Sequence, residues 1–106
     1  MAWVILIIAG LLEVVWAFSM KQSEGFTRLW PSLITLGAMG VSFGLLSLSM
    51  RTLPLGTAYT VWTGIGAVGA FLVGVAVLGE SANPMRIAAA LLIVAGLVLM
   101  KVASPA

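Results

Sequence analysis

A chain of 106 residues that is 62% apolar and only 8% charged cannot enclose its own hydrophobic surface, since soluble proteins run to about 45–50% apolar and about 25% charged. The medium that dissolves it is a bilayer, so the chain reads as an all-α integral membrane protein forming one transmembrane domain over residues 1–106. Five basic and three acidic residues leave a net charge of +2, and neither cysteine nor histidine occurs. Disulfides and thiolate metal sites are therefore excluded, any proton chemistry near neutral pH falls to a carboxylate, and no metal, cofactor or nucleic-acid partner is expected.

Charged residues divide the chain into four apolar runs: 1–20 with a single acid, and 29–50, 52–79 and 87–100 with none. About 20 apolar residues cross a hydrocarbon core. The first three runs suffice directly, and the shorter fourth requires Arg86 and Lys101 to extend outwards. Helices are expected at about 2–20, 31–50, 57–78 and 84–102. No basic residue precedes the first run, which is one of several, so a cleavable signal peptide is not expected.

The first helix holds Glu13, in a stretch reading LLEVVWAFSMK over 11–21. An acid at mid-span costs about 2.5–3.5 kcal/mol on insertion scales, which makes an intramembrane ionisable group a functional candidate. Its face comprises Leu6, Ala9, Gly10, Trp16, Ala17 and Met20. Gly10 and the alanines leave space beside the carboxylate, and Trp16 offers an indole N–H and a ring face for a cation. The plainer alternative is a protonated acid bonded to a neighbouring helix. Glu24 and Glu80 lie in loops and read as solvated charges.

The segment KQSEGFTRLWPS (21–32) is a loop, with Pro31 suited to the first turn of the second helix. That helix carries Gly37, Gly40, Gly44 and Ser47 as a small-residue seam for close helix approach, and Met39, Ser42, Phe43 and Leu46 on the opposite side. Ser42 could line a substrate path or simply bond its own backbone. RTLPLGT (51–57) is a tight connection breaking at Pro54 and Gly56.

The third helix aligns Tyr59, Trp62, Thr63, Gly66 and Ala70 on one stripe. Tyr59 fits an interfacial aromatic belt, whereas Trp62 lies a turn deeper. GIGAVG (64–69) matches a dinucleotide-binding glycine pattern, but without a preceding strand its three glycines mean close packing or a bend. GESANP (79–84) ends with Asn83 as N-cap and Pro84 opening the fourth helix, where Ala89, Ile93 and Gly96 form a face for helix pairing. The closing SPA reads as frayed.

Four spans place Arg51 and Lys101 on one side of the membrane and Lys21, Arg28 and Arg86 on the other, almost no positive-inside bias. Insertion in both orientations, and hence an antiparallel homodimer, is compatible with that balance. Apart from Glu13, no charged side chain falls inside the expected hydrocarbon zone. Its charge is then neutralised by a proton, an incoming cation or a second copy's groups, and two such carboxylates at a dimer axis would titrate as one unit. A site that exchanges protons for a cation is an antiporter.

From AWVILIIAGLLEVVWA through LPLGTAYTVWTGIGAVGA to LGESANPMR, the chain resembles the small multidrug resistance family of transporters, and within it the guanidinium-exporter branch. Trp16 stands one turn after the acid, where multidrug members have glycine followed by threonine, and Met39 stands where they tend to be aromatic. Thr60 replaces the usual alanine, and KQSEGFTRLWPS looks like the loop of multidrug members. The resemblance implies an antiparallel, dual-topology homodimer with alternating access, located in the inner (plasma) membrane as a multi-pass protein. It implies that Glu13 is the shared proton and cation site, that Trp16 and Ser42 orient the carboxylates, and that Gly10 gives clearance. Tyr59 and Trp62 would wall the pocket, Met39 and Phe43 would line a portal to the lipid, and the bend would lie at Gly64, Gly66 and Gly69. The cargo implied is guanidinium, with alkyl-guanidinium or quaternary ammonium compounds as a broader alternative. A non-transporting structural subunit predicts that Glu13→Gln changes no flux. A proton-conducting rotor subunit is disfavoured, having two helices with the acid in the second. No enzyme reading survives the absence of a metal constellation, catalytic triad or nucleotide loop.

Overall fold

A computed structural model describes residues 1–104, and among these the regular structure is entirely helical. The order is α1 (Ala2–Gln22), α2 (Leu29–Ser49), α3 (Leu55–Ala76) and α4 (Pro84–Ala103). Their lengths of 20 to 22 residues correspond to about 30 Å at 1.5 Å per residue, the thickness of a hydrocarbon core. All four are apolar enough to span a membrane.

Local chemistry accounts for the boundaries. At the first turn-around the fully buried Ser23 donates its hydroxyl to the Met20 carbonyl (2.6 Å) and accepts the Phe26 N–H (3.0 Å). Glu24, Gly25 and Phe26 then follow with φ of 50°, 76° and 67°, a left-handed run that only Gly25 enters without steric cost. Helix α2 starts at Leu29, so Pro31 is its third residue, still within the turn whose N–H groups have no intrahelical acceptor. Helix α3 starts at Leu55 with Pro54 as its extended N-cap, which places Gly56 inside the first turn instead of at a break. Its other end stops at Ala76, where Gly79 at φ 70° reverses the chain and the Glu80 N–H closes on the Gly74 carbonyl at 2.9 Å. Asn83 caps α4 through Oδ1, which accepts the Arg86 N–H at 2.9 Å, and Pro84 opens the helix. Of the SPA segment, Ser104 bonds back to the Met100 carbonyl at 2.6 Å, while Pro105 and Ala106 lie outside the described residues.

The helices form a slab only 16 Å thick in its least dimension. Helix α1 packs along both α2 and α3, α2 and α3 touch briefly, and α4 leans on α3. The buried core (Leu6, Ala9, Leu46, Leu53, Ala58, Val61 and Trp62) gathers at the end that carries the 50–54 loop. Helix α4 buries no residue at all. The α2 seam does not join helices of this chain: a Cβ at Gly37, Gly40 or Gly44 would meet nothing within 4 Å. What α2 turns towards α1 instead is a hydroxyl row at every seventh position, Thr35, Ser42 and Ser49, each fully buried.

Candidate functional site

Glu13 stands midway along α1, half-buried. Its Oε1 is enclosed and meets no hydrogen-bond donor among the described residues, and the Trp16 Nε1–H one turn on is likewise enclosed without an acceptor. A buried polar atom left unpaired costs about 1–3 kcal/mol, more when it is charged. The two orphans, an acceptor and a donor, lie on one face of one helix, and a ligand with N–H donors would satisfy the carboxylate oxygen.

The wall opposite the carboxylate is Gly66 of α3. A Cβ built there would fall on the Glu13 carboxyl group, so the carboxylate lies directly against the α3 backbone. Gly10 is placed elsewhere: its missing Cβ makes room for Ile65, whose side-chain atoms would come within 2.7–3.3 Å. Within the chain, the clearance beside the carboxylate is therefore supplied by Gly66, because α3 and not α1 faces it. The remaining glycines of GIGAVG also mark close approaches, Gly64 against Leu97 of α4 and Gly69 against Val14 of α1. Helix α3 runs unbroken through all three.

Ser42 joins three helices. It accepts the Trp62 Nε1–H at 3.0 Å and donates its own proton to the Ala9 carbonyl at 2.7 Å. Neither bond is to its own helix, and neither is to the Glu13 side chain. Ala9 is four residues before Glu13, so the carbonyl receiving the Ser42 proton is the one that accepts the Glu13 backbone N–H in an α-helix. Thr35 and Ser49, by contrast, bond back to Pro31 and Leu46 of their own helix, both at 2.7 Å.

An aromatic row borders this junction. Trp16 meets Phe43 edge-on at 6.2 Å between ring centroids, Phe43 meets Trp62 at 5.6 Å, and Trp62 meets Tyr59 at 5.7 Å. Trp62 is buried, while Phe43 and Tyr59, on either side of it in the row, are exposed at 45% and 54%. Met39, one turn before Phe43 on α2, is half-buried. On α4, Ala89 and Gly96 are exposed and Ile93 lines the grooves between α3 and α4.

Towards the 23–28 and 77–83 loops, α1 and α3 diverge around a cleft of about 190 Å³ that starts beside Val14 and has Lys21 and Glu80 at its mouth. Glu80 is not simply solvated. It lies 3.9 Å from Arg86, which also sits 5.2 Å over the Phe71 ring, and its carboxylate fills the space above Gly74. Among the described residues no three metal-ligating side chains cluster.

Sequence reasoning placed Glu13, Trp16, Ser42, Trp62 and Phe43 in one neighbourhood; the structure joins Trp16, Phe43, Trp62 and Ser42 by direct contacts, while the Glu13 carboxyl group lies against Gly66. It missed the Ala9 carbonyl and the role of Gly66 as the wall facing the acid. Helical spacing orders residues around one helix but does not say which glycine of the next helix lies at the same depth. The Thr35–Ser42–Ser49 spacing was a usable signal for the α2 face that meets α1.

Four spans, the first with a half-buried carboxylate midway along it, define a small polytopic membrane protein. A family model described as Small Multidrug Resistance protein matches residues 1–95. Proteins named guanidinium exporter from Escherichia coli (strain K12), Citrobacter freundii and Salmonella typhimurium are each 60% identical over 104 residues, covering 98% of this chain and 99% of theirs. The chain belongs to the small multidrug resistance family, and it is a multi-pass protein of the inner membrane.

Proposed function

We propose that this protein exports guanidinium in exchange for protons, with Glu13 holding the two in turn. The observation that carries this reading is the enclosed Glu13 Oε1, an acceptor at mid-span for which the described residues provide no donor. Guanidinium is planar and presents N–H donors in a fixed fork, the geometry a carboxylate accepts in two parallel bonds. Kinship with exporters named for that cation supports the same cargo.

Exchange needs a site that is emptied of one occupant before it takes the other. A neutral, protonated Glu13 costs little in hydrocarbon, and so does a carboxylate neutralised by a cation, whereas the bare anion is the expensive state. Each crossing of the membrane is therefore made with the site occupied. Two copies related by an antiparallel axis would place two Glu13 carboxylates on one cation, and α4, which buries nothing within the chain, offers Ala89, Ile93 and Gly96 as the pairing face. Trp16 would donate to the occupied carboxylates, Tyr59 and Trp62 would close the pocket, and Met39 and Phe43 would flank its opening to lipid. Sliding of α3 at Gly64, Gly66 and Gly69 would exchange the side of access. No group in this scheme makes or breaks a covalent bond to carbon, so the activity is transport and not catalysis.

The half-buried, unbranched Met39 and the exposed Phe43 ring favour a second reading, in which alkyl-substituted guanidiniums or quaternary ammonium ions also pass. Transport currents from proteoliposomes separate the two. Currents with guanidinium alone, absent in Glu13→Gln, are expected. Equal currents with tetrapropylammonium would establish the broader exporter. Silence with both, from a well-folded protein, would end the transport reading.

A further inference from the structure

The cleft between α1 and α3 ends inward at Val14, the residue after Glu13, and outward at Lys21 and Glu80. Along its α3 wall three side chains sit on glycines: the Glu13 carboxyl group on Gly66, Val14 on Gly69 and the Glu80 carboxylate on Gly74. Gly66 and Gly74 are eight residues apart in α3, about 12 Å at 1.5 Å per residue. The intervening cleft of about 190 Å³ has room for about six waters at about 30 Å³ each. Glu80 is fixed by its backbone, whose N–H bonds the Gly74 carbonyl at 2.9 Å. Its side chain stands between two cations on different helices. Lys21, in the last turn of α1, lines the same mouth, and Arg86, in the first turn of α4, lies 3.9 Å from the carboxylate. Arg86 is itself held, its guanidinium 5.2 Å over the Phe71 ring of α3. Lys21 and Glu80 are both exposed, and ion pairs between exposed groups are weak enough to exchange partners.

We infer that Glu80 gates an aqueous path from the 77–83 loop towards Glu13 by changing partners. Paired with Arg86, as in this structure, the carboxylate is drawn to α4 and the mouth between α1 and α3 stays open. Rotated onto Lys21, with its backbone N–H still on the Gly74 carbonyl, it bridges α1 and α3 across the mouth and shuts it. The gate rests on the exchange reading above, in which protons reach Glu13 through water and from one side at a time. Glu80 meets neither the proton nor the cargo at Glu13. It is a positioning residue, acting through the width of the cleft.

The chain has no cysteine, so Ala17→Cys puts a single thiol in the cleft lining. Its rate of labelling by small methanethiosulfonates is measured in nanodiscs, where both membrane faces meet the reagent. A cationic and an anionic reagent should agree in sense, which separates the width of the mouth from its local potential. Arg86→Gln should slow labelling about three-fold, the population change that one solvent-facing ion pair supplies, because Glu80 is left to Lys21. In a Glu80→Gln background the same substitution should have no effect. Lys21→Gln removes a basic residue from the same end, yet should label no more slowly than the parent. Each single removal leaves two basic residues at each end, so orientation stays balanced. Thr52→Cys, exposed at the opposite end, should react at one rate in every background and so reports intact folding. Labelling unchanged or faster in Arg86→Gln, slowed equally without the Glu80 carboxylate, or slowed in Lys21→Gln would overturn the gate. The labelling needs no transport, so the gate can fail while exchange at Glu13 stands, and the reverse.

Discussion

At the scale of single residues, the site is defined by what glycine omits. Gly66 and Gly64 lie two positions apart in α3, yet a methyl group would do different things at each. At Gly66 it would strike the Glu13 carboxyl group, the far end of a flexible side chain that can rotate away. At Gly64 it would strike Leu97, the contact that seats α4 on α3. Gly66→Ala should therefore fold with little loss, since alanine also raises helix propensity by about 1 kcal/mol, while displacing the carboxylate from its ligand. We expect an apparent guanidinium affinity about ten-fold weaker, the order of loss that a misplaced binding group produces. Gly64→Ala should instead lower stability by about 1–3 kcal/mol through overpacking and leave affinity close to normal. Affinity from transport currents and stability from chemical denaturation in micelles separate the two. Equal effects on both quantities in both variants would show that α3 responds as one rigid body.

At the scale of the helices, the four spans were legible because hydrocarbon tolerates so little else. Uninterrupted apolar runs between charges have one solution in a bilayer, and the Asn83 cap follows from turn chemistry. What was not legible is how the helices meet. The α2 glycines form a seam by spacing but face out of the chain, while Ser42, in a hydroxyl row of its own helix, turned out to bind Ala9 of α1 and Trp62 of α3. Register between helices depends on interdigitation that no single helix encodes. Helix α4 is the extreme case, held by α3 contacts, by the Asn83 cap and by Arg86 lying between Phe71 and Glu80. Asn83→Ala removes the cap and should cost about 1 kcal/mol. Because α4 has no buried residue to hold its first turn, the loss should appear locally. Amide exchange over residues 84–88 should speed up about five-fold, with the amides around Glu13 unchanged. Uniform acceleration across all four helices would mean that α4 is cooperative with the rest.

At the scale of the whole molecule, the basic residues divide almost evenly between the two ends of the four-span bundle. Arg51 and Lys101 oppose Lys21, Arg28 and Arg86, a charge balance that by the positive-inside rule favours neither orientation strongly. An antiparallel dimer needs both orientations in comparable amounts, and in the proposed dimer α4, which buries no residue within the chain, supplies the pairing face. Small changes in loop charge should then have large effects on function without touching the site. Lys21→Gln with Arg28→Gln leaves Arg86 alone against Arg51 and Lys101, and Arg51→Gln leaves Lys101 alone against three. Each variant should insert predominantly one way, in opposite senses, and each alone should lose most guanidinium transport. Produced together in one cell, they should restore it, because each supplies the orientation the other lacks. Accessibility labelling of single cysteines placed in the 50–54 and 77–83 loops would report the orientations independently of activity. Full transport by either variant alone, with labelling from one side only, would require a parallel dimer and would remove the antiparallel arrangement from the proposed cycle.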